Sequence, residues 1–209
     1  MIPRHQTVLF VILLLASVTM GAVLWNQLRR AHEHLLRHQD SAPTQAPQIA
    51  PAEPATLMVA NDADDSFRPR SLTLPLPQTS EARARALLGK LLDLYAAPDA
   101  THPVPGGAAS IAQVFLMPIA VDNGKNRASS PQMAVVNLTG TFAAGHPAGI
   151  ETETLTILSI CATLTANLPQ ITQVRFLVDG QPRATLAGHA DLMHIYLAAE
   201  AAPGKGVLP

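Results

Sequence analysis

Ile150-Glu151-Thr152-Glu153-Thr154-Leu155-Thr156-Ile157-Leu158-Ser159-Ile160-Cys161-Ala162-Thr163-Leu164-Thr165-Ala166-Asn167-Leu168 is the stretch on which the fold turns. Read in steps of two, Thr154-Leu155-Thr156-Ile157 alternates as a strand does, and the run is rich in β-branched residues. Read in steps of three and four, Ile150, Ile157, Cys161, Leu164 and Leu168 hold one face through five turns. Nineteen residues is long for a strand, so the spacing predicts a helix. Cys161 then lies on the buried stripe, as a small core residue rather than a nucleophile. Glu151 and Glu153, two apart, do not share a helix face. They are expected to favour the helix N-terminus rather than to form an acid/base pair.

The flanking segments follow from that helix. Upstream, Thr56 to Ala60 reads as a short strand, Asn61 to Ser66 as an acidic turn, and Arg70 to Leu74 as a second, alternating strand. The Asp-rich turn lacks the Gly and Glu positions of an EF-hand loop. Ser80 is the expected N-cap of a first helix whose stripe is Ala84, Leu87, Leu88, Leu91, Leu92 and Tyr95, stopped by Pro98. Ile111 to Val121 and Gln132 to Thr139 read as strands around an Asp122-Asn123-Gly124 turn. Downstream, Gln173 to Val178 is a strand turned by Asp179-Gly180, with a short return strand expected at Ala184 to Leu186. The predicted class is α+β: a mixed sheet with two helices on one face, in β-β-α-β-β-α-β order, preceded by an N-terminal transmembrane helix.

That last element is read from residues 7–25, nineteen positions without a charge, enough to span a hydrocarbon core of about 30 Å. Trp25 stands at its end, where an interfacial aromatic belongs. The rival reading, a cleaved signal peptide, has only Thr19-Met20-Gly21 as its cleavage site. Residues 1–6 form a short flank, 26–40 a helical stalk, and 41–54, with four prolines, a linker. A domain at 55–199 and a flexible tail at 200–209 complete the chain. The expected location is the cytoplasmic membrane, single-pass, with the domain outside. Arg29, Arg30 and Arg37 after the span argue the other way, since positive flanks stay in the cytoplasm.

Composition narrows the function. Of 209 residues 14% are charged, and the net charge is −1, which leaves no polycationic surface for nucleic acid. The single cysteine excludes an intrachain disulfide and a Cys-rich zinc module. No nucleophile elbow, phosphate-binding loop, dinucleotide fingerprint or His-Glu-x-x-His motif occurs. The strongest constellation is Gly188-His189-Ala190-Asp191-Leu192-Met193-His194. In an extended segment His189 and Asp191 face one way and His194 the other, which disfavours joint chelation of a metal. His34 and His38 share a face of the stalk without a third ligand. His102 and His146 each precede a proline and read as turn entries. Neither a catalytic residue nor a cofactor is assigned.

Residues 56 to 192 resemble the GerMN domain, described in spore germination and sporulation proteins of the GerM type and in bacterial envelope lipoproteins. The matching runs are Thr56-Leu57-Met58-Val59 with its acidic turn, Ala86-Leu87-Leu88 to Leu92, Ala134-Val135-Val136-Asn137-Leu138-Thr139, and Thr163-Leu164-Thr165-Ala166-Asn167-Leu168-Pro169. The most specific is Val174-Arg175-Phe176-Leu177-Val178-Asp179-Gly180, followed by Gly188-His189-Ala190-Asp191-Leu192. The chain departs from the family in Ala97-Pro98 where Gly-Pro is usual, in carrying one domain copy, and in a membrane span instead of a lipobox. The resemblance implies a non-catalytic extracytoplasmic module, similar to ring-building motifs in the α-β-β-α-β order of residues 80 to 178. Its implied partners are other proteins or further copies of itself in the envelope. Asp179, Gly180, Gly188, His189 and Asp191 are the motif positions expected to matter for interaction. Two alternatives come from other classes: an envelope hydrolase, metal-dependent or otherwise, using His189, Asp191 or His146, and a module binding a cell-wall ligand.

Overall fold

The computed structural model describes residues 17, 19, 20, 51–119 and 130–198. The chain divides into two units, Met1–Gln48 and Ile49–Pro209. Of the first, Ser17, Thr19 and Met20 are described, as helix. The predicted span otherwise lies outside the described residues, as do the stalk, most of the linker, the Asp122-Asn123-Gly124 turn and the tail. Among the described residues no helix is long and apolar enough to cross a membrane.

The second unit opens with a hairpin of β1 (Ala52–Asn61) and β2 (Ser66–Pro75). β1 begins inside the predicted linker: Ala52, Glu53 and Pro54 pair with Pro75, Leu74 and Thr73. A proline is tolerated there because residues 54, 56, 58 and 60 point their backbone groups away from β2, so no ladder bond is lost at Pro54. Helix α1 (Ser80–Tyr95) buries the predicted stripe from Ala84 to Tyr95, but its N-cap is Thr79, not Ser80, and no side chain caps it. It stops at Tyr95, three residues before Pro98, where the Val104 N–H takes up the Tyr95 carbonyl at 3.1 Å.

After a 3-10 turn at Gly107–Ser110 come β3 (Ile111–Pro118) and β4 (Gln132–Leu138). A six-residue helix α2 (Gly140–Gly145), capped by the Thr139 hydroxyl, had no periodic signal to announce it. Helix α3 (Ile150–Asn167) follows, then β5 (Ile171–Val178) and β6 (Tyr196–Leu197). The strands form two sheets rather than the single one expected: β1-β2, and a four-stranded sheet in the order β3-β4-β5-β6. In the second, β4 and β5 are parallel and the other pairs antiparallel, so it is mixed. The expected return strand at Ala184 to Leu186 is a loop with one bridge, Thr185 to Asp191, and β6 supplies the pairing instead.

Register sorts the four-stranded sheet into two faces. Val114, Ala134, Val136, Leu138, Val174, Phe176 and Val178 are buried and face the helices. Phe115, Met117, Met133, Val135, Arg175 and Leu177 face away.

Helix α3 explains its own ambiguous sequence. Leu155, Ile157, Ile160, Cys161 and Leu164 are buried, and so are Thr156, Ser159 and Thr163. The hydroxyls recur at helical spacing toward β1, whose outer edge has no partner strand among the described residues. Met58 N–H donates to Thr163 Oγ1 at 2.9 Å, and Thr56 N–H donates to Asn167 Oδ1 at 2.9 Å. Ala60 N–H donates to the Tyr95 hydroxyl at 3.0 Å, which in turn donates to Ser159 Oγ at 2.8 Å. Asn167 Nδ2 returns a bond to the Thr56 carbonyl at 2.6 Å. The strand edge is therefore satisfied by helix side chains instead of a ladder, as buried backbone groups require. Burial holds the Tyr95 hydroxyl at a pKa of about 12, so it remains a neutral donor.

Candidate functional site

Two polar assemblies line the first turns of α3. The first is built around Glu153. Its side chain is fully buried, and its two oxygens collect five hydrogen bonds. Oε2 accepts from the backbone N–H groups of Ala187 (2.9 Å), His189 (3.0 Å) and Ala190 (2.9 Å). Oε1 accepts from Gly149 N–H at 3.2 Å and from the His189 imidazole Nδ1 at 2.8 Å. Gly188, at φ +130°, provides the backbone turn that aims these amides at one point. Burial alone raises a carboxyl pKa, but here the donors from Ala187, His189 and Ala190 outweigh it and hold Glu153 at about 2.

The second assembly is a chain of side chains. Asp62, from the β1–β2 turn, accepts from His102 Nδ1. His102 Nε2 lies 2.7 Å from Thr156 Oγ1, and His146 Nε2 lies 2.8 Å from the same oxygen. His146 Nδ1 donates to the Pro147 carbonyl at 2.8 Å, which fixes its tautomer. The rings of Tyr95 and Phe142 stand edge-on to His102 and His146. The His146 pKa is lowered, chiefly by burial and further by the neighbouring His102, against the opposing influence of the Pro147 carbonyl, Glu153 and Asp62.

In outline the second assembly is a carboxylate–imidazole–hydroxyl relay. Its hydroxyl is no nucleophile, because Thr156 and His102 are both 0% exposed. Thr156 Oγ1 is further engaged by the Thr152 carbonyl at 3.0 Å. No substrate carbonyl reaches so deeply buried an atom. The assembly instead ties the β1–β2 turn and the two histidine-bearing loops to α3.

The motif positions separate in space. Asp179 and Gly180, at φ +50° and +76°, are the central residues of a two-residue turn closed by reciprocal bonds between Val178 and Gln181. Asp179 Oδ1 accepts from Gly140 N–H at 2.8 Å, and Gly180 N–H donates to Asn137 Oδ1 at 2.7 Å, so the turn is locked to the end of β4. His189 is committed to Glu153. Asp191 is exposed and its carboxylate accepts from Met193 N–H at 2.7 Å, closing its own turn. His194 lies against the Tyr196 ring. His189 and Asp191 thus do not converge, and among the described residues no three His, Cys, Asp or Glu side chains gather as a metal site. Glu151 and Glu153 diverge as expected, one exposed and one buried. The sequence reading missed that Glu153 is the anchor of the Gly188-His189-Ala190 loop and that His102 and His146 share a hydroxyl. Only its place three residues after Ile150 and four before Ile157 hinted that Glu153 faces inward, while the loop lies more than thirty positions away.

A groove of about 480 Å³ lies elsewhere, between the end of β2 and α1, walled by Leu74, Leu76, Ala86 and Ala108 and rimmed by Arg85 and Lys90. It touches neither assembly. Among the described residues, the only buried side-chain polar atoms without a partner are the Ser110 hydroxyl and Gln132 Oε1.

Fold and site together define a one-sided α+β module whose buried polar groups serve attachment of its own loops. The sequence profile of the Germane family, described as sporulation and spore germination, matches residues 56–184, and the chain belongs to that family. Three solved structures are similar. The first GerMN domain of the sporulation protein GerM from Bacillus subtilis is 18% identical, with 68% of this chain and 94% of that one covered and a TM-score of 0.36. The tandem GerMN domains of the same protein give 16% identity, 69% and 45% coverage and a TM-score of 0.37. A candidate lipoprotein from Clostridium perfringens gives 18% identity, 74% and 93% coverage and a TM-score of 0.34. No curated protein matches the sequence.

Proposed function

We propose that this chain is a membrane-anchored bacterial envelope protein whose extracytoplasmic GerMN-type domain makes protein–protein contacts and has no catalytic role. The observation that carries the reading is the apolar β3 edge of the outer sheet face: Phe115 is 46% and Met117 50% exposed on the side opposite the helices. A large apolar surface open to water in a folded domain marks a contact site. The hydrolase reading loses its support with the separation of His189 from Asp191. Anchoring rests on the uncharged run at 7–25 followed by the proline-rich linker.

Topology is the decisive test. A cysteine at Gln48→Cys is expected to react with a membrane-impermeant maleimide in intact cells, and one at Gln6→Cys is not. Cys161 is buried and adds little background. Labelling of Gln6→Cys alone would place the domain in the cytoplasm and end the proposal.

A further inference from the structure

The groove of about 480 Å³ between the end of β2 and α1 holds unspent charge above apolar walls. Leu74 and Leu76 line it from β2, and Ala86 and Ala108 from the other side. Arg85, Lys90 and Asp93 are the charged groups that line it. Asp93 is committed, since its Oδ1 accepts from Ala108 N–H at 2.7 Å. Arg85 gives Nε to the Ile111 carbonyl at 3.4 Å, and its terminal nitrogens are not engaged among the described residues. Lys90 is partly buried, yet among the described residues no hydrogen bond or ion pair engages its ammonium. The β2 wall also has no main-chain donor to offer. Pro75 and Pro77 lack an N–H, and that of Leu76 goes to the Pro51 carbonyl at 3.3 Å.

We propose that this groove binds a single-chain anionic amphiphile of the fatty-acid class, with its alkyl chain along Leu74, Leu76, Ala86 and Ala108 and its carboxylate at Arg85 and Lys90. Size, backbone and charge select that occupant. The volume falls within the range of about 300–1,000 Å³ found for small-ligand clefts. Two turns of an α-helix about 10 Å across occupy roughly 850 Å³, more than the groove holds. An extended peptide finds no donor for a strand ladder on the β2 wall. A bilayer surface is met by apolar side chains that project outward, and this surface is concave. The two unspent charges are both positive, which favours a carboxylate over a neutral or cationic head. Their methylene stems lie along an apolar chain while the charged ends stay in water. The groove shares no residue with the β3 edge that carries the contact reading, so its failure leaves that reading standing.

The test uses the full chain in nanodiscs of zwitterionic lipid, with a diazirine-bearing dodecanoate as photolabel and adducts mapped by mass spectrometry. Adducts are expected on the groove walls at positions 74, 76, 86 and 108. Unlabelled dodecanoate should compete about tenfold better than dodecyltrimethylammonium, a cation of the same chain length. Lys90→Glu should lower labelling about fivefold with an unchanged melting temperature. Ala86→Trp, which fills the groove, should abolish labelling there. Adducts scattered over the domain surface, or found only within residues 7–25, would overturn the proposal. So would equal competition by the cationic amphiphile, or labelling that Lys90→Glu leaves intact. A dimer in sedimentation that Ala86→Trp dissociates would make the occupant a second copy and sink it as well.

Discussion

Replacing Glu153 by Gln tests whether the buried carboxylate, and not merely a side chain of that shape, holds the loop from Ala187 to Ala190. The carboxylate meets five donors and offers only acceptors, so every contact is charge-assisted. An amide keeps one acceptor oxygen and points its NH2 group at donors on the other side. A pKa held at about 2 instead of 4.5 corresponds to about 3 kcal/mol of preference for the ionised form in the folded state. The group sits beneath one surface loop, and solvent screening reduces this to about 2 kcal/mol. Because the folded pKa is depressed, that stability is fully present above pH 4.5 and is lost as pH falls through about 2. Urea denaturation at pH 7 is therefore expected to show Glu153→Gln destabilised by about 2–4 kcal/mol, from unpaired donors as well as lost charge. Between pH 5 and pH 2.5 the gap to the native chain should narrow, since protonation weakens the native cradle too. A constant gap over that range, or no destabilisation at pH 7, would refute the assignment of charge-based anchoring.

Thr156→Val keeps the volume of the side chain but strands both buried imidazole nitrogens, and is expected to cost about 2–3 kcal/mol in the same assay. His146, with its pKa lowered, binds a proton more readily in the unfolded chain. Its contribution is complete above pH 6.5 and declines as pH falls, so His146→Gln should flatten the stability profile between pH 7.5 and 5.5. Gly140→Ala places a Cβ 2.2 Å from Asp179 Oδ2, with an expected loss of about 1–3 kcal/mol. Adding Asp179→Ala should recover part of it, a non-additivity that a double-mutant cycle measures. Thr163→Val leaves Met58 N–H without its acceptor and should cost about 1–2 kcal/mol, with hydrogen exchange quickened at Met58.

Local periodicity made much of the second unit legible. The α1 stripe, the helical choice for residues 150–168 and the inward alternation of Val174, Phe176 and Val178 all depend on side chains within one element. The Asp179-Gly180 turn was readable because two positive φ angles in succession demand such residues. What escaped notice depended on distant pairing. Ala52 to Pro54 looked like linker because proline argues against a strand, and only the register with Pro75 to Thr73 shows that Pro54 loses no ladder bond. Thr154-Leu155-Thr156-Ile157 alternates as a strand does, and the partners of the helix hydroxyls lie far off in sequence: β1 for Thr163, Tyr95 for Ser159, and two histidines for Thr156. The division into two sheets was equally hidden, since a hairpin's alternation does not say which strand its edge will meet. His102 and His146 read as turn entries, but their common contact with Thr156 joins positions 54 and 10 residues apart.

The distribution of polarity bears on function more than any single residue does. Sites of chemistry bring polar groups to a concave surface and leave some of their capacity unspent for a substrate. Here the capacity is spent inward: Glu153 on a loop, Asp62 and His102 on Thr156, Asn167 and Thr163 on a strand edge. The outward sheet face shows the reverse pattern, with Phe115 and Met117 exposed along β3. Covering that face gains hydrophobic area, whereas covering the interior assemblies gains nothing because they are already complete. A domain arranged this way is suited to being bound.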